Sequence, residues 1–379
     1  MNQPDGTTTR CAGDCAGGFA DAPPAVVAAT DPPRGMVAPR QRDRTRRPWR
    51  QRVLAHPATT LASPRSLVGY AVIWLLAAGV VADTYTVITL ARILAVGLLA
   101  VSVAVLSGLA GLPSLGQVAP FAVGAYTTAL LARAGVTVGV AQLAAATAAA
   151  VLFAALTGLA VVRTRGTAFL MVTLAVGELT ASTATRWTSL TGGSDGLAGI
   201  PAVRLVWGAP ALTTDRQVYW YALGVTAVVV AATVGVLRWP AGLLLTGIRD
   251  HEVRMRACGH PVGAYLLAAY TGAGAIAGVG GALLVCVQRY ISPADVGFDT
   301  AALVLLAVII GGAASVGGAF AGAALIVGTR DWLAGPWPGH APLLVGAMLI
   351  AAVYVLPGGL SGLTHRLHQR AAARRWGRD

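Results

Sequence analysis

Lysine is absent from the 379 residues, and glutamate occurs only twice, at Glu178 and Glu252. Charged residues make up 11% of the chain, under half of the roughly 25% usual in soluble domains. An ordinary water-soluble fold is thereby excluded. Cysteine is scarce as well: Cys11, Cys15, Cys258 and Cys286 match neither a zinc spacing nor a disulfide framework, so no metal or redox centre is expected. The six histidines fall in expected loops or tails, and no HExxH, GxSxG or paired-carboxylate pattern accompanies them. Without such a constellation no catalytic residue and no cofactor is expected. A Walker A sequence is missing too, so ATP hydrolysis is not expected of this chain.

What is present is apolar surface and arginine. The chain is 56% hydrophobic with a formal charge of +13, and all 28 basic residues are arginine. Together with the preference for Ala, Val, Gly and Leu, this reads as the mark of a GC-rich, bacterial genome. Mean hydropathy is +0.68, and the apolar residues arrive in blocks long enough to cross about 30 Å of hydrocarbon as helices. An all-α polytopic membrane protein is expected. Ten spans can be marked, at 66–82, 86–109, 118–134, 138–162, 168–185, 217–237, 264–287, 299–312, 317–328 and 341–357. The eighth and ninth are short and bounded by Gly311-Gly312 and Gly317-Gly318, a pattern that suits broken or re-entrant helices. Residues 1–65 form a polar Pro/Arg-rich tail, expected to be disordered and not a signal peptide, with Met36 an alternative start. Residues 358–379 form a second basic tail.

Arginine placement orients the spans. If both termini are cytoplasmic, 21 arginines lie inside and 7 outside; leaving out the first nine of the tail still gives 12 to 7. The expected topology is N-in/C-in. The arginines then collar the span ends, where anionic lipids attract them, and no nucleic-acid motif or interleaved aromatics accompany them. A lipid bilayer, and no nucleic acid, is the expected partner of this charge.

Few ionisable groups fall inside spans. Glu178 is read either as part of a pathway or gate, or as an acid paired with a neighbouring helix or placed near the aqueous end of its span. Arg92, near the outer start of its helix, is expected to snorkel. The loop 238–264 is the most informative polar stretch. It carries Arg249, Asp250, Glu252, Arg254 and Arg256 on a helix-capable segment that ends at Gly259 and Pro261.

That loop resembles the ATPase-coupling region of permeases in the branched-chain amino-acid ABC importer family, the LivM type. Further stretches match in order: Leu112 to Gln117 followed by Phe121 and Gly124-Ala125-Tyr126-Thr127; Arg165 to Phe169 and Met171 to Ala175, ending at Gly177-Glu178; Thr191 to Pro201; Ile291-Ser292-Pro293; and Gly311 to Gly318. The resemblance covers roughly residues 67–357. Pro113, Gln117 and Cys258 depart from the family pattern.

The resemblance implies an ABC importer permease fold and a channel-forming rather than enzymatic role. Its implied partners are a second related permease in a heterodimer, two ATP-binding subunits and an extracytoplasmic substrate-binding protein, in the bacterial cytoplasmic membrane. Arg249, Asp250, Glu252, Arg254, Arg256 and Gly259 become ATPase-coupling candidates. In the external loop 186–216, Ser194, Asp195 and Gly196 form a candidate gate or binding-protein contact, or a turn that shapes the loop. Branched-chain or related amino acids are the leading substrate class, with urea or short amides as the alternative. A stand-alone secondary transporter predicts more intramembrane ionisable groups than Glu178 and Arg92 supply. In the seventh span, Gly272, Gly274, Gly278, Gly280 and Gly281 are expected to allow close helix contact.

Overall fold

The computed structural model describes residues 83–334, except 206, 209, 313 and 314, together with residues 79, 346 and 347. The expected first and last spans and both tails therefore lie outside the described residues, apart from those three. The remaining eight expected spans are all helical. They are α1 (Thr84–Val105), α2 (Val118–Arg133), α3 (Gly139–Val161), α4 (Gly166–Arg186), α6 (Asp215–Arg238), α8 (Val262–Gln288), α9 (Phe298–Gly311) and α10 (Val316–Ala334). Two further helices lie between these spans: the short α5 (Thr188–Thr191), in the expected external loop, and α7 (Pro240–Ala257), which contains the segment expected to be helix-capable. Among the described residues, β structure is limited to isolated bridges.

Five helices are long and apolar enough to cross a membrane: α1 with its extension to Ala110, α3, α4, α6 and α8. The chain is a multi-pass membrane protein by this measure. With 16 and 14 residues, α2 and α9 reach only about 24 and 21 Å. Shortness of α2 follows from its approach. Residues 111–117 are non-helical, and from Leu112 onward they are buried or half-buried, with Ser114 and Gln117 fully buried. Irregular backbone at this depth is tolerated only when protein covers it. Here α4 does so: a Cβ on Gly116 would stand 2.7 Å from the Thr173 carbonyl oxygen.

Helix α8 is the centre of the bundle, packing against α1, α2 and α3. Its glycines make this possible by bringing backbone to backbone. Gly281 abuts the Phe121 carbonyl of α2, and Gly124 of α2 abuts Gly278. Gly274 and Gly278 meet Ala154 and Ala150 of α3, while Gly280 lies against the Ala95 carbonyl of α1. Gly272 does not join them; it is exposed and has nothing within 4 Å of a would-be Cβ. The close-contact expectation is thus corrected to four of the five glycines.

Helices α9 and α10 form a second unit of this packing. Gly311 and Gly318 touch backbone to backbone, and Gly322 meets the Ala307 carbonyl. The short eighth and ninth spans are therefore a helical hairpin, with α10 running on to Ala334, beyond the expected end at 328. Leu94, Leu98, Phe121, Leu283 and Val304 are among the residues of the shared core.

Candidate functional site

The loops gather into two clusters, one at each end of the bundle. The first contains residues 106–112, 162–165 and α7. Helix α7 begins with Pro240, whose fixed φ suits the first helical position. It ends in a Schellman motif: Gly259, at φ +83°, donates its N–H to the Arg256 carbonyl at 2.9 Å, and His260 donates to Met255 at 3.2 Å. Gly259 is thus a helix stop. Between these ends His251 has non-helical angles, φ −151° and ψ 78°, which split α7 into 240–250 and 252–257. The expected single coupling segment is a kinked pair.

Side chains on both halves tie α7 to the membrane helices. Ile248 is buried beside Leu106, Phe169 and Leu266 in a satellite core, and burial of such a side chain contributes about 1.5–3 kcal/mol. Arg249 donates from Nη1 to the Gly108 carbonyl. That carbonyl lies in a π-helical turn, Leu106–Ala110, which extends α1 and ends at Gly111, φ +68°. A Cβ at Gly111 would stand 2.9 Å from Arg249 Cγ, so this glycine serves both the left-handed backbone and the passage of the arginine.

Glu252 is held between two arginines. Arg165 donates from Nε to Oε2 at 3.1 Å and from Nη2 to Oε1 at 3.0 Å, while Arg256 reaches Oε1 at 2.7 Å. The forked Arg165 contact is of the directional, charge-assisted kind. Arg165 also donates to the Val162 and Thr164 carbonyls at the end of α3. One guanidinium thereby joins α3, the start of α4 and α7. Its hydrogen bond, with the Arg165 charge and the bond and charge of Arg256, outweighs partial burial and holds the Glu252 carboxyl below its usual range. The outward side of α7 is different. Asp250, Val253 and Arg254 are exposed, Val253 at 83%, and the two charged side chains have no partner among the described residues.

The second cluster joins residues 134–138, 187–214 and 289–297. Here Leu197 and Ile291 exchange backbone hydrogen bonds of 2.8 and 3.1 Å, and the Gly139 and Arg204 N–H groups donate to Arg204 and Thr137 at 2.7 and 2.8 Å. Ser194, Asp195 and Gly196 lie in and after a 3₁₀ turn, Gly193–Asp195. Tyr290 donates its hydroxyl to the Asp195 carbonyl at 3.0 Å, and Gly196, at φ +72°, lies against the Ile291 carbonyl. Ser292 caps the turn Pro293–Val296, with its N–H and Oγ 3.0 and 2.9 Å from Asp295 Oδ2. The external-loop motif and the Ile-Ser-Pro motif, about a hundred residues apart, are therefore one structure. The carboxylate of Asp195 and the hydroxyl of Ser194 remain exposed.

Glu178 stands on the exposed side of α4, next to Leu179, and has no ion-pair partner among the described residues. Arg92 does not simply snorkel. It donates from Nη1 to Asp331 Oδ2 at 2.9 Å and pins α1 to α10. Beside this pair lies a cavity of about 80 Å³, lined also by Asp295, Gln288, Leu303 and Val304, with room for a few waters. The sequence reading missed Asp331, which lies past the expected end of its span, and Arg165, which it placed in a motif without a partner. Opposite charges at the ends of distant spans were the available signal.

A family model described as the branched-chain amino acid transport system permease component matches residues 85–353. The chain is 29% identical over 286 residues to the high-affinity branched-chain amino acid transport system permease protein LivM of Escherichia coli (strain K12). It is 30% identical over the same length to the LivM of Salmonella typhimurium (strain LT2). In both comparisons 69% of this chain and 66% of the relative are covered. No solved structure gives a significant match.

Proposed function

Because the chain belongs to the family of branched-chain amino acid transport permease components, we propose that it is the membrane-spanning subunit through which an ABC importer moves branched-chain or related amino acids. Partner subunits hydrolyse the ATP, a second related permease completes the membrane part, and an extracytoplasmic binding protein delivers the substrate. The chain lies in the bacterial cytoplasmic membrane with ten spans and both termini inside, which puts α7 on the cytoplasmic side, as the arginine bias favours.

The observation that carries this reading is the two-sidedness of α7. Arg249, Glu252 and Arg256 engage the permease itself through α1, the α3–α4 junction and their own helix. Asp250, Val253 and Arg254 are left exposed, on either side of the break at His251. An ATPase gripping the outer set moves a lever whose inner set pulls on three membrane helices. Gly259 fixes where the lever ends. At the other end, Ser194, Asp195 and Gly196 offer a firmly held surface to the binding protein. Glu178 faces the second permease or the pathway between the two, since an unpaired carboxylate turned to lipid is costly.

The test is uptake by proteoliposomes containing this chain with its co-encoded permease, ATPases and binding protein. ATP-dependent accumulation of labelled leucine is expected, unaffected by excess urea. Uptake of urea but not leucine would replace the substrate assignment, and leucine uptake without the ATPases would overturn the ABC reading. Val253→Asp should abolish ATPase stimulation while leaving the permease folded.

A further inference from the structure

A groove of about 830 Å³ lies between α3, α7 and the start of α8. Its walls are apolar, with Leu159, Val162, Val253 and Leu267, and Gly158 and Gly263 also line it. Arg163, Arg165 and Arg256 stand around it with Glu252 as its one acid. Glu252 is already shared by Arg165 and Arg256, and Arg163 has no ion-pair partner among the described residues. Three guanidinium groups against one carboxylate leave the groove with a net charge of about +2.

The apolar wall does not stop at the groove. Leu152 and Leu156, each 62% exposed, continue from Leu159 along α3 at helical spacing. This stripe leads from the basic rim along a helix long and apolar enough to span the bilayer. A ligand that fits the whole surface has an anionic head of small volume and a hydrocarbon tail aligned with the helix axis. Basic pockets between membrane helices on the cytoplasmic side recognise anionic headgroups in this way.

We propose that the groove is a binding site for an anionic phospholipid, its phosphate at Arg163, Arg165 and Arg256 and an acyl chain along Leu159, Leu156 and Leu152. The proposal rests on the membrane-spanning, α7-inside reading above but not on the identity of the transported solute. It also has a consequence for coupling. The lipid phosphate shares Arg165 and Arg256 with Glu252, so occupancy of the groove alters how firmly α7 is held.

The full complex, purified in mild detergent and equilibrated with mixed phosphatidylglycerol and phosphatidylcholine of equal chain length, can be examined by native mass spectrometry. One tightly retained phosphatidylglycerol per copy of this chain is expected. Arg163→Glu should lower that retention about ten-fold, while Arg238→Glu, which changes a basic residue at the end of α6 outside the groove, should lower it less than two-fold. Leucine uptake by the wild type, measured in parallel, reports on the transport reading separately. Equal retention of the two lipids, or equal effects of the two substitutions, would overturn the site. So would phosphatidylglycerol bound only after the ATPases are stripped away, which would give the groove to the partner protein.

Discussion

At the end that carries α7, the elements are joined by side chains: Arg165 and Arg256 on Glu252, and Arg249 on a carbonyl. At the opposite end they are joined mainly by backbone, through the Leu197–Ile291 exchange and glycines at positive φ. Long charged side chains keep contact while their supports shift by an ångström or more. Backbone exchanges and left-handed glycines do not. The difference assigns adjustability to one end and fixed shape to the other, as a coupled lever and a docking platform require.

Substitutions can break this contrast, beginning with the largest expected effect. Gly192→Ala puts a Cβ onto the Gly196 carbonyl at φ +77°, and a loss of about 3 kcal/mol or failure to fold is expected. Gly199→Ala, at φ +72° with open space around it, should cost only about 1 kcal/mol. Thermal unfolding of the two variants in detergent separates crowding from backbone strain, and equal costs would contradict a tightly closed loop. Glu252→Ala frees both arginines and should lower stability by about 1–2 kcal/mol. ATP-driven uptake should fall at least ten-fold, because the effect falls on coupling more than on folding.

Acidification tests the same carboxylate without mutation. The folded-state pKa of Glu252 lies below 4.5, the value for an unperturbed glutamate. Its contribution is therefore complete above that value and is lost as pH falls through the depressed one. Wild type and Glu252→Gln should converge in unfolding midpoint in that acid range and differ above it. Arg256→Ala is expected to have the smallest effect, about 0.3–0.5 kcal/mol, since its side chain is 62% exposed and paired only with its neighbour four residues back. A loss as large as that of Glu252→Ala would mean that Arg165 is not the main anchor.

Helix positions were legible because span and helix report the same apolar run; α3, α6 and α8 begin and end within two residues of expectation. The α7 charges were legible as a cluster, but not their division into inner and outer sets. That division depends on the break at His251, for which no glycine or proline at that position gives notice. Val253 was passed over because an exposed valine carries no signal in a single sequence. The glycine-rich motifs were visible, yet their pairing was not: nothing local says that Gly196 needs to meet Ile291, or Gly116 Thr173. Arg92 was read alone because its partner lies 239 residues away.

The π turn at Leu106–Ala110 is, in terms of chain arithmetic, one residue more than an α-helix of that span would hold. An α-helix advances about 100° per residue, so the surplus residue sets the phase between the part of α1 that packs on α8 and the part that meets Arg249. Deleting one residue there would leave composition and hydropathy almost unchanged. It would nevertheless turn the Gly108 carbonyl away from α7 by more than a quarter of a revolution. The lever's attachment is thus recorded in the length of the chain as much as in its side chains.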